Sequence, residues 1–179
     1  MADDAPDDRP GDDASAAFDD LMGRLSHPMA VVTTVADGER AGCLVGFHAQ
    51  CGSDPPSYAV WSSKANRTFE GALRADTFAV HFLGRDDRDL AELFGHRTGD
   101  DVDKFERCSW HPGPGGVPLL DGVADRMVGR RLALDDVDAD HVCLALTPVD
   151  ATVGEGPLMT LADVGDLQAG HEADERRPG

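Results

Sequence analysis

The sequence predicts a mainly β protein with a few short helices, folded as a closed or nearly closed antiparallel barrel. Six segments rich in β-branched and aromatic residues have the pattern of strands, and the helical patterns are confined to the middle of the chain. A parallel βαβ fold would need helices alternating with strands along the whole chain, and this sequence does not have them. An antiparallel barrel is therefore favoured.

The six predicted strands follow one another with short connections. The first begins at Met29 (MAVVTTVA) and stops at Asp37-Gly38, a strong hairpin signal. The second covers residues 40–47, and a Pro-Pro turn separates it from the third. The remaining strands are predicted over residues 58–62, 77–83, 124–134 and 141–153.

Three short helices are predicted between these strands. Asn66 can cap the first helix, over residues 66–75. The second begins at Asp86, has an apolar face of leucines and Phe94, and ends at Gly95. A third is predicted over residues 100–108, followed by the loop HPGPGGVP.

Both ends of the chain are rich in charged residues and have little to bury. Residues 1–17 and 163–179 are predicted to be disordered tails around one compact domain over residues 18–162. A formal net charge of −18 disfavours nucleic acid and anionic membrane surfaces as partners. No apolar run is long enough to span a membrane, and the first residues are acidic where a signal peptide is basic. A cytoplasmic protein is expected.

The four cysteines do not have the spacing of a metal site or a disulfide framework. Each of them lies in or beside an apolar run, and none belongs to a CxxC pair. Buried, reduced thiols and no metal ion are therefore expected.

Seven short motifs, in this order, resemble the flavin reductase-like family of FMN-binding split-barrel proteins. The resemblance covers about residues 18–157. It implies a six-stranded antiparallel split β-barrel, Greek-key-like, that binds FMN. The motifs are MAVVTTVADG, GCLVGFHAQCGSDPPSYAVW, SSKANRT, FAVHFL, LAELFG with DKF and Trp110, GVPLLDG, and Asp140-His141.

In that family the loop before the two prolines wraps the isoalloxazine ring and ribityl chain of FMN. The resemblance therefore implies FMN contacts from Gly46, Phe47, His48, Ala49 and Gln50. This chain departs from the usual Ser/Thr-rich segment and has one residue more before the Asp-Pro-Pro sequence. Imidazole and carboxamide groups can donate hydrogen bonds as hydroxyls do. The alternative for His48 is a surface histidine without a role.

The turn SSKANRT is the predicted phosphate site. A helix N-terminus with free amides, hydroxyls and cations favours a dianion. By resemblance, Ser63, Lys64, Asn66 and Thr68 would hold the FMN phosphate, and Arg67 adds a second cation. The alternative is ordinary helix capping by Asn66 or Thr68.

Two strand histidines receive different interpretations. The resemblance implies that His141 lies near the flavin and orients the incoming nicotinamide, so it is the candidate catalytic residue. Hydride transfer to flavin N5 needs no acid or base from the protein. The alternative is a histidine at the surface end of a strand. His81 stands where the family usually has Asn and is expected to be a satisfied barrel residue.

The resemblance implies an NAD(P)H-dependent FMN reductase that works as a homodimer and supplies reduced flavin to a separate monooxygenase. Either NADH or NADPH could be the electron donor, and FMN, FAD or a deazaflavin could be the acceptor. The alternative is a non-enzymatic or redirected FMN-binding protein. It is raised by the segment PLMTLADV, which lacks the aromatic residues common in the family.

Overall fold

The computed structural model describes residues 11–64, 66, 71, 73–96, 103–136 and 140–165. Within these residues the α-helices with defined bounds are α1 (Asp12–Gly23) and α2 (Arg88–His96). Neither is long and apolar enough to cross a membrane. The strands are β1 (Ala30–Ala36), β2 (Glu39–Val45), β3 (His48–Ser53), β4 (Pro56–Ser63), β5 (Thr77–Phe82), β6 (Trp110–Pro112), β7 (Pro118–Leu120), β8 (Arg126–Asp136) and β9 (His141–Thr152).

Seven of these strands form one antiparallel sheet in the order β2-β1-β5-β8-β9-β4-β3, and β6 pairs with β7 in a small second sheet. All six predicted strands occur in the large sheet, and the mainly β, antiparallel class is confirmed. The six-stranded barrel is not confirmed, because the sheet has seven strands and is open between β2 and β3.

The seventh strand is β3, in the segment that the sequence predicts to be a ligand-wrapping loop. Its residues HAQCGS pair with β4, with a register shift between Gln50 and Gly52. Because β3 has a neighbour on one side only, most of its residues are exposed and an apolar pattern is not required. Cys51 is among these exposed residues and is not the buried thiol expected from the sequence, whereas Cys43 is buried.

The predicted hairpin between β1 and β2 is confirmed. Asp37 and Gly38 have φ values of 53° and 83°, the left-handed pair that a tight two-residue hairpin turn requires. Gly42, inside β2, allows a close contact with α2. A Cβ added there would lie 2.8 Å from Cε1 of Phe94, which is itself buried.

The alternation predicted for TFAVHFL is observed in β5. Phe78 and Val80 pack in one core cluster with β1, β2, β4, β8 and β9. Leu83 belongs to a second cluster, under α2 and the β6–β7 sheet. His81 lies on this second side and is fully buried.

His81 is a satisfied core residue, as expected. Its Nδ1 lies 3.1 Å from the carbonyl oxygen of Val31, and its Nε2 accepts a hydrogen bond of 3.0 Å from the backbone N–H of Leu120. The carbonyl can only accept, so Nδ1 carries the proton of the neutral ring. Burial lowers the pKa of His81 to about 4, against the opposing hydrogen bond to Val31.

The helices match the sequence in part. Helix α1 begins at Asp12, within the range 1–17 that the sequence assigns to a tail, and its alanines favour the helical state. Helix α2 corresponds to the second predicted helix. Of the third, only one turn of 3₁₀ helix, Lys104–Glu106, falls in the described residues. Most of the first predicted helix lies outside the described residues, although the N–H of Ala75 donates to the carbonyl of Gly71.

Candidate functional site

The candidate site lies where three neighbouring strands of the large sheet end. β9 begins with His141, directly opposite Ser63, the last residue of β4. On the other side of β9, Asp136 ends β8 and pairs with Val142. Phe47 comes just before β3, and its carbonyl accepts a hydrogen bond of 2.9 Å from the N–H of Trp61. The antiparallel register therefore gathers residues that are almost 100 positions apart in the chain.

His141 is held by an acid and by an aromatic ring. Its Nδ1 lies 2.9 Å from Oδ1 of Asp140, and its ring centroid lies 5.4 Å from that of Phe47. A carboxylate can only accept, so Nδ1 carries the proton and Nε2 is the nitrogen left for a ligand. The hydrogen bond from His141 is the main cause that lowers the pKa of Asp140. Asp140 thus fixes the orientation and the tautomer of His141.

The face around His141 has an exposed aromatic surface. The Phe47 side chain is 58% exposed, although phenylalanine usually buries most of its surface. Direct antiparallel partners point to the same face of a sheet, so Ser63 and His141 share one face, and Phe47 shares it through its pairing with Trp61. An apolar ring beside a hydroxyl and an imidazole suits a planar heteroaromatic ligand.

The turn after β4 carries the donors predicted to hold a phosphate. Ser63, Lys64 and Asn66 are half-buried, and the N–H of Asn66 donates to the carbonyl of Ser63. The N–H of Lys64 donates to the carbonyl of Asp140, which joins the turn to the start of β9. Hydroxyl, ammonium and carboxamide groups form a donor set that fits a flavin phosphate. Thr68 and Arg67 lie outside the described residues.

The ammonium of Lys64 already has an anionic partner. Its Nζ lies 2.7 Å from Oδ1 of Asp136, and the two side chains are 24% and 54% exposed. A phosphate bound at this turn would therefore have to compete with Asp136 for the ammonium of Lys64.

His48 is not brought to this site. It is buried on the other face of the sheet, where its Nε2 lies 2.8 Å from the carbonyl oxygen of Pro28 and its Nδ1 lies 2.6 Å from the hydroxyl of Tyr58. Nε2 donates to the carbonyl, and Nδ1 accepts from the hydroxyl. Burial lowers the pKa of His48, so the neutral ring is favoured. Both nitrogens are occupied, which leaves His48 no donor for a ribityl or phosphate oxygen.

The other residues predicted around the ring are spread along β3 and the segment before it. Gly46 is half-buried, and Ala49 and Gln50 are exposed on β3. The Gln50 side chain donates to the carbonyl of Gly52, two residues further on. Of the five residues predicted to wrap the ring, Phe47 is the one whose side chain contacts His141.

Two acidic residues of the site were absent from the candidate residues predicted from the sequence. Asp140 could have been included, because an Asp-His dipeptide at a strand start can form the observed pair. Asp136 could not, because its contact with Lys64 depends on the pairing of β8, β9 and β4.

Comparisons with known proteins agree on one family. The sequence profile described as "Flavin reductase like domain" matches residues 22–166. An FMN reductase (NADH) named RutF, from Methylorubrum extorquens (strain DM4), is 31% identical over 120 residues, which cover 65% of this chain and 58% of the relative. The HsaB reductase subunit of a flavin-dependent monooxygenase, from Rhodococcus jostii, is 29% identical over 119 residues, covering 63% and 60%. The chain thus spans about three fifths of the length of these curated relatives.

A solved structure shares the fold. The NADH:FAD oxidoreductase SgcE6 of Streptomyces globisporus superposes with a TM-score of 0.72 at 23% identity, covering 87% of this chain and 93% of that one.

Proposed function

Because the chain belongs to the flavin reductase-like family, we propose that it is an FMN reductase that takes its electrons from NADH or NADPH. The observation that carries the proposal is the cluster of Phe47, His141 and Asp140 beside the donor turn of Ser63, Lys64 and Asn66. The cluster combines an apolar platform, an oriented imidazole and donors for an anion.

The residues of this cluster would divide the work of binding. Ser63, Lys64 and Asn66 would hold the phosphate of FMN, with Thr68 as a further predicted donor. Phe47 would pack against the ring system, and His141 would orient the nicotinamide through Nε2 while Asp140 fixes its Nδ1 proton. The bound flavin supplies the redox chemistry, since it accepts the hydride without a protein acid or base.

A role in supplying reduced flavin to a partner monooxygenase belongs to the same proposal. It is supported by the names of the relatives, one an FMN reductase (NADH) and one the reductase subunit of a flavin-dependent monooxygenase. Reduced FMN would leave the site and diffuse to the partner. We also place this activity in the cytoplasm, where both nucleotides serve as electron donors.

We propose that the protein works as a homodimer. The aromatic platform beside His141 is open, with Phe47 58% exposed, and Leu132 on β8 is 56% exposed. A second copy would cover such surfaces by an isologous contact and enclose the flavin from the other side.

A flavin-binding protein without reductase activity is the second candidate. The segment PLMTLADV carries no aromatic side chain for a nicotinamide, and Met159 within it is 2% exposed and packs in the core. In this case the same residues would bind FMN, but neither nucleotide would be oxidised.

The test is the rate of NADH and NADPH oxidation at saturating FMN, for the wild type and for His141→Ala. Loss of an orienting residue should lower kcat/KM for the nucleotide by about 10- to 100-fold, or roughly 1.4–2.7 kcal/mol, and leave FMN affinity unchanged. Asp140→Asn keeps the size of the side chain but removes its charge, and we expect a smaller loss in the same parameter.

His111→Ala is the matched control, because His111 forms a similar pair with Asp121 (2.6 Å) on the separate β6–β7 sheet. It should leave the kinetics unchanged. Unchanged kinetics in His141→Ala would make His141 an ordinary strand-end residue. FMN binding by the wild type without oxidation of either nucleotide would favour the second candidate.

A further inference from the structure

The ion pair between Lys64 and Asp136 spans three strands. Lys64 follows the end of β4, Asp136 ends β8, and β9 lies between them in the sheet. The outer two strands are about 10 Å apart, since neighbouring strands are spaced by about 4.8 Å. The contact of 2.7 Å therefore requires the lysine side chain to extend across the first residues of β9.

The register indicates which way this contact draws the ammonium. Asp136 is the partner of Val142, whereas Ser63 is the partner of His141. Because successive residues of a strand point to opposite faces, Asp136 belongs to the face of Val142 and not to that of His141. The ion pair thus holds the Lys64 ammonium away from the face that carries Ser63, His141 and Phe47.

Other carboxylates also lie near the ends of these strands. Asp135, Asp136 and Asp140 surround the ends of β8 and β9. The positive charge of Lys64 also contributes to the lowered pKa of Asp140, after the larger effect of the His141 hydrogen bond. In a chain of net charge −18, a dianionic ligand must overcome these carboxylates and gains from each cation that turns toward it.

We propose that the Asp136 carboxylate competes with the flavin phosphate for the Lys64 ammonium. Binding of FMN exchanges one anionic partner of Lys64 for another. The phosphate therefore contributes less to FMN affinity than it would if Asp136 did not pair with Lys64. Asp136 thereby reduces the preference for FMN over riboflavin and keeps FMN exchangeable. This inference rests on the proposed function, because it needs a flavin bound at the turn of Ser63, Lys64 and Asn66.

The size of the effect follows from the exposure of the pair. Solvent-screened ion pairs stabilise by up to about 1 kcal/mol, which is about fivefold in a binding constant. Removing Asp136 should therefore tighten FMN by about three- to fivefold. Riboflavin lacks the phosphate, and its affinity should not change.

The experiment is a fluorescence titration of FMN and of riboflavin into the wild type, Asp136→Asn, Lys64→Ala and the double variant. Asp136→Asn should tighten FMN alone, and Lys64→Ala should weaken FMN alone. In the Lys64→Ala background, Asp136→Asn should have no effect beyond a general change in charge. Asp150→Asn measures that general change, because Asp150 is exposed near the opposite end of β9, where it pairs with Val128.

Several results would overturn the inference. Weaker FMN binding by Asp136→Asn would mean that the carboxylate positions Lys64 for the phosphate. Equal tightening by Asp150→Asn and Asp136→Asn would show only a general effect of the net charge. If the wild type binds neither flavin, the proposed function fails. If FMN depends on Lys64 but not on Asp136, the proposed function stands and this inference alone is wrong.

Discussion

Acidification should destabilise this protein through His81. Its imidazole is fully buried, with Nδ1 bonded to the carbonyl of Val31 and Nε2 accepting from the N–H of Leu120. Protonation of Nε2 would remove that acceptor and place a charge in the core. Burial is the main reason that the pKa of His81 falls to about 4, and the charge of Arg126 adds to it.

The magnitude follows from the difference between the folded and unfolded pKa values. The unfolded chain binds the proton near pH 6.5, and the folded chain only near pH 4. The stability contributed by the neutral ring is therefore complete above pH 6.5 and is lost as the pH falls toward 4. Over this window the loss is about 3 kcal/mol, a large part of a typical domain's stability.

The assay is urea unfolding of the wild type and His81→Asn between pH 8 and pH 4, followed by tryptophan fluorescence. Asparagine can donate and accept hydrogen bonds but does not titrate in this range. At pH 8 the variant should be less stable because it is smaller and its contacts are imperfect. From pH 8 to pH 4, however, it should lose about 3 kcal/mol less than the wild type.

His48 contributes to the acid destabilisation in the same direction, because burial also lowers its pKa. Since His48 is present in both proteins, its contribution cancels in the comparison. Parallel stability profiles for the wild type and His81→Asn would refute the reasoning, since they would mean that His81 takes up its proton in the folded state without cost.

Two further predictions concern packing and assembly. Gly42→Ala should lower the free energy of unfolding by about 1–3 kcal/mol in urea, because its Cβ would lie 2.8 Å from the buried Phe94 ring. Gly46→Ala is the control. Its Cβ would lie 3.5 Å from Met29 Sδ, an ordinary contact distance, so its effect on stability should be close to zero. Equal effects of the two substitutions would contradict this account. Light scattering at micromolar concentration with FMN should give the mass of a dimer for the wild type. Phe47→Asp should shift the measured mass toward that of a monomer. A wild type that is monomeric with FMN bound would refute the dimer proposal.

Local patterns explain why most of the sheet could be predicted from the sequence. The Asp37-Gly38 turn supplies two left-handed residues, which set the register of β1 and β2 without reference to the rest of the chain. In β5, large apolar residues recur at every second position, as Phe78, Val80 and Phe82. Each of these signals depends on residues that are close together in the chain, so these strands and their turn can be predicted from the sequence alone.

β3 and the openness of the sheet could not be predicted in this way. The residues HAQCGS have neither an apolar pattern nor high strand propensity, and they are extended because they pair with β4. Likewise, nothing in the sequence around Gly42 indicates that the space beside it is taken by Phe94 from α2. Both outcomes depend on contacts between distant segments.

The same limit applies to the candidate site. Ser63, Lys64 and Asn66 belong to one turn, so their proximity follows from the sequence, and Asp140 is next to His141. His48 differs, because its partners Pro28 and Tyr58 lie 20 and 10 residues away. Adjacent residues of an extended chain leave the sheet on opposite sides, so Phe47 joins His141 while His48 enters the core.

This alternation also separates two tasks that the proposed reaction requires. Phe47, Ser63 and His141 share a face, where a ring system and a nicotinamide could meet. Lys64 is held toward the other face by Asp136, at the end of β8 on the far side of β9. Changes at His141 should therefore alter turnover of the nucleotide, whereas changes at Asp136 should alter the discrimination between FMN and riboflavin. If one substitution moved both quantities together, the two faces would not act independently, and flavin binding and reduction would have to be coupled through β9.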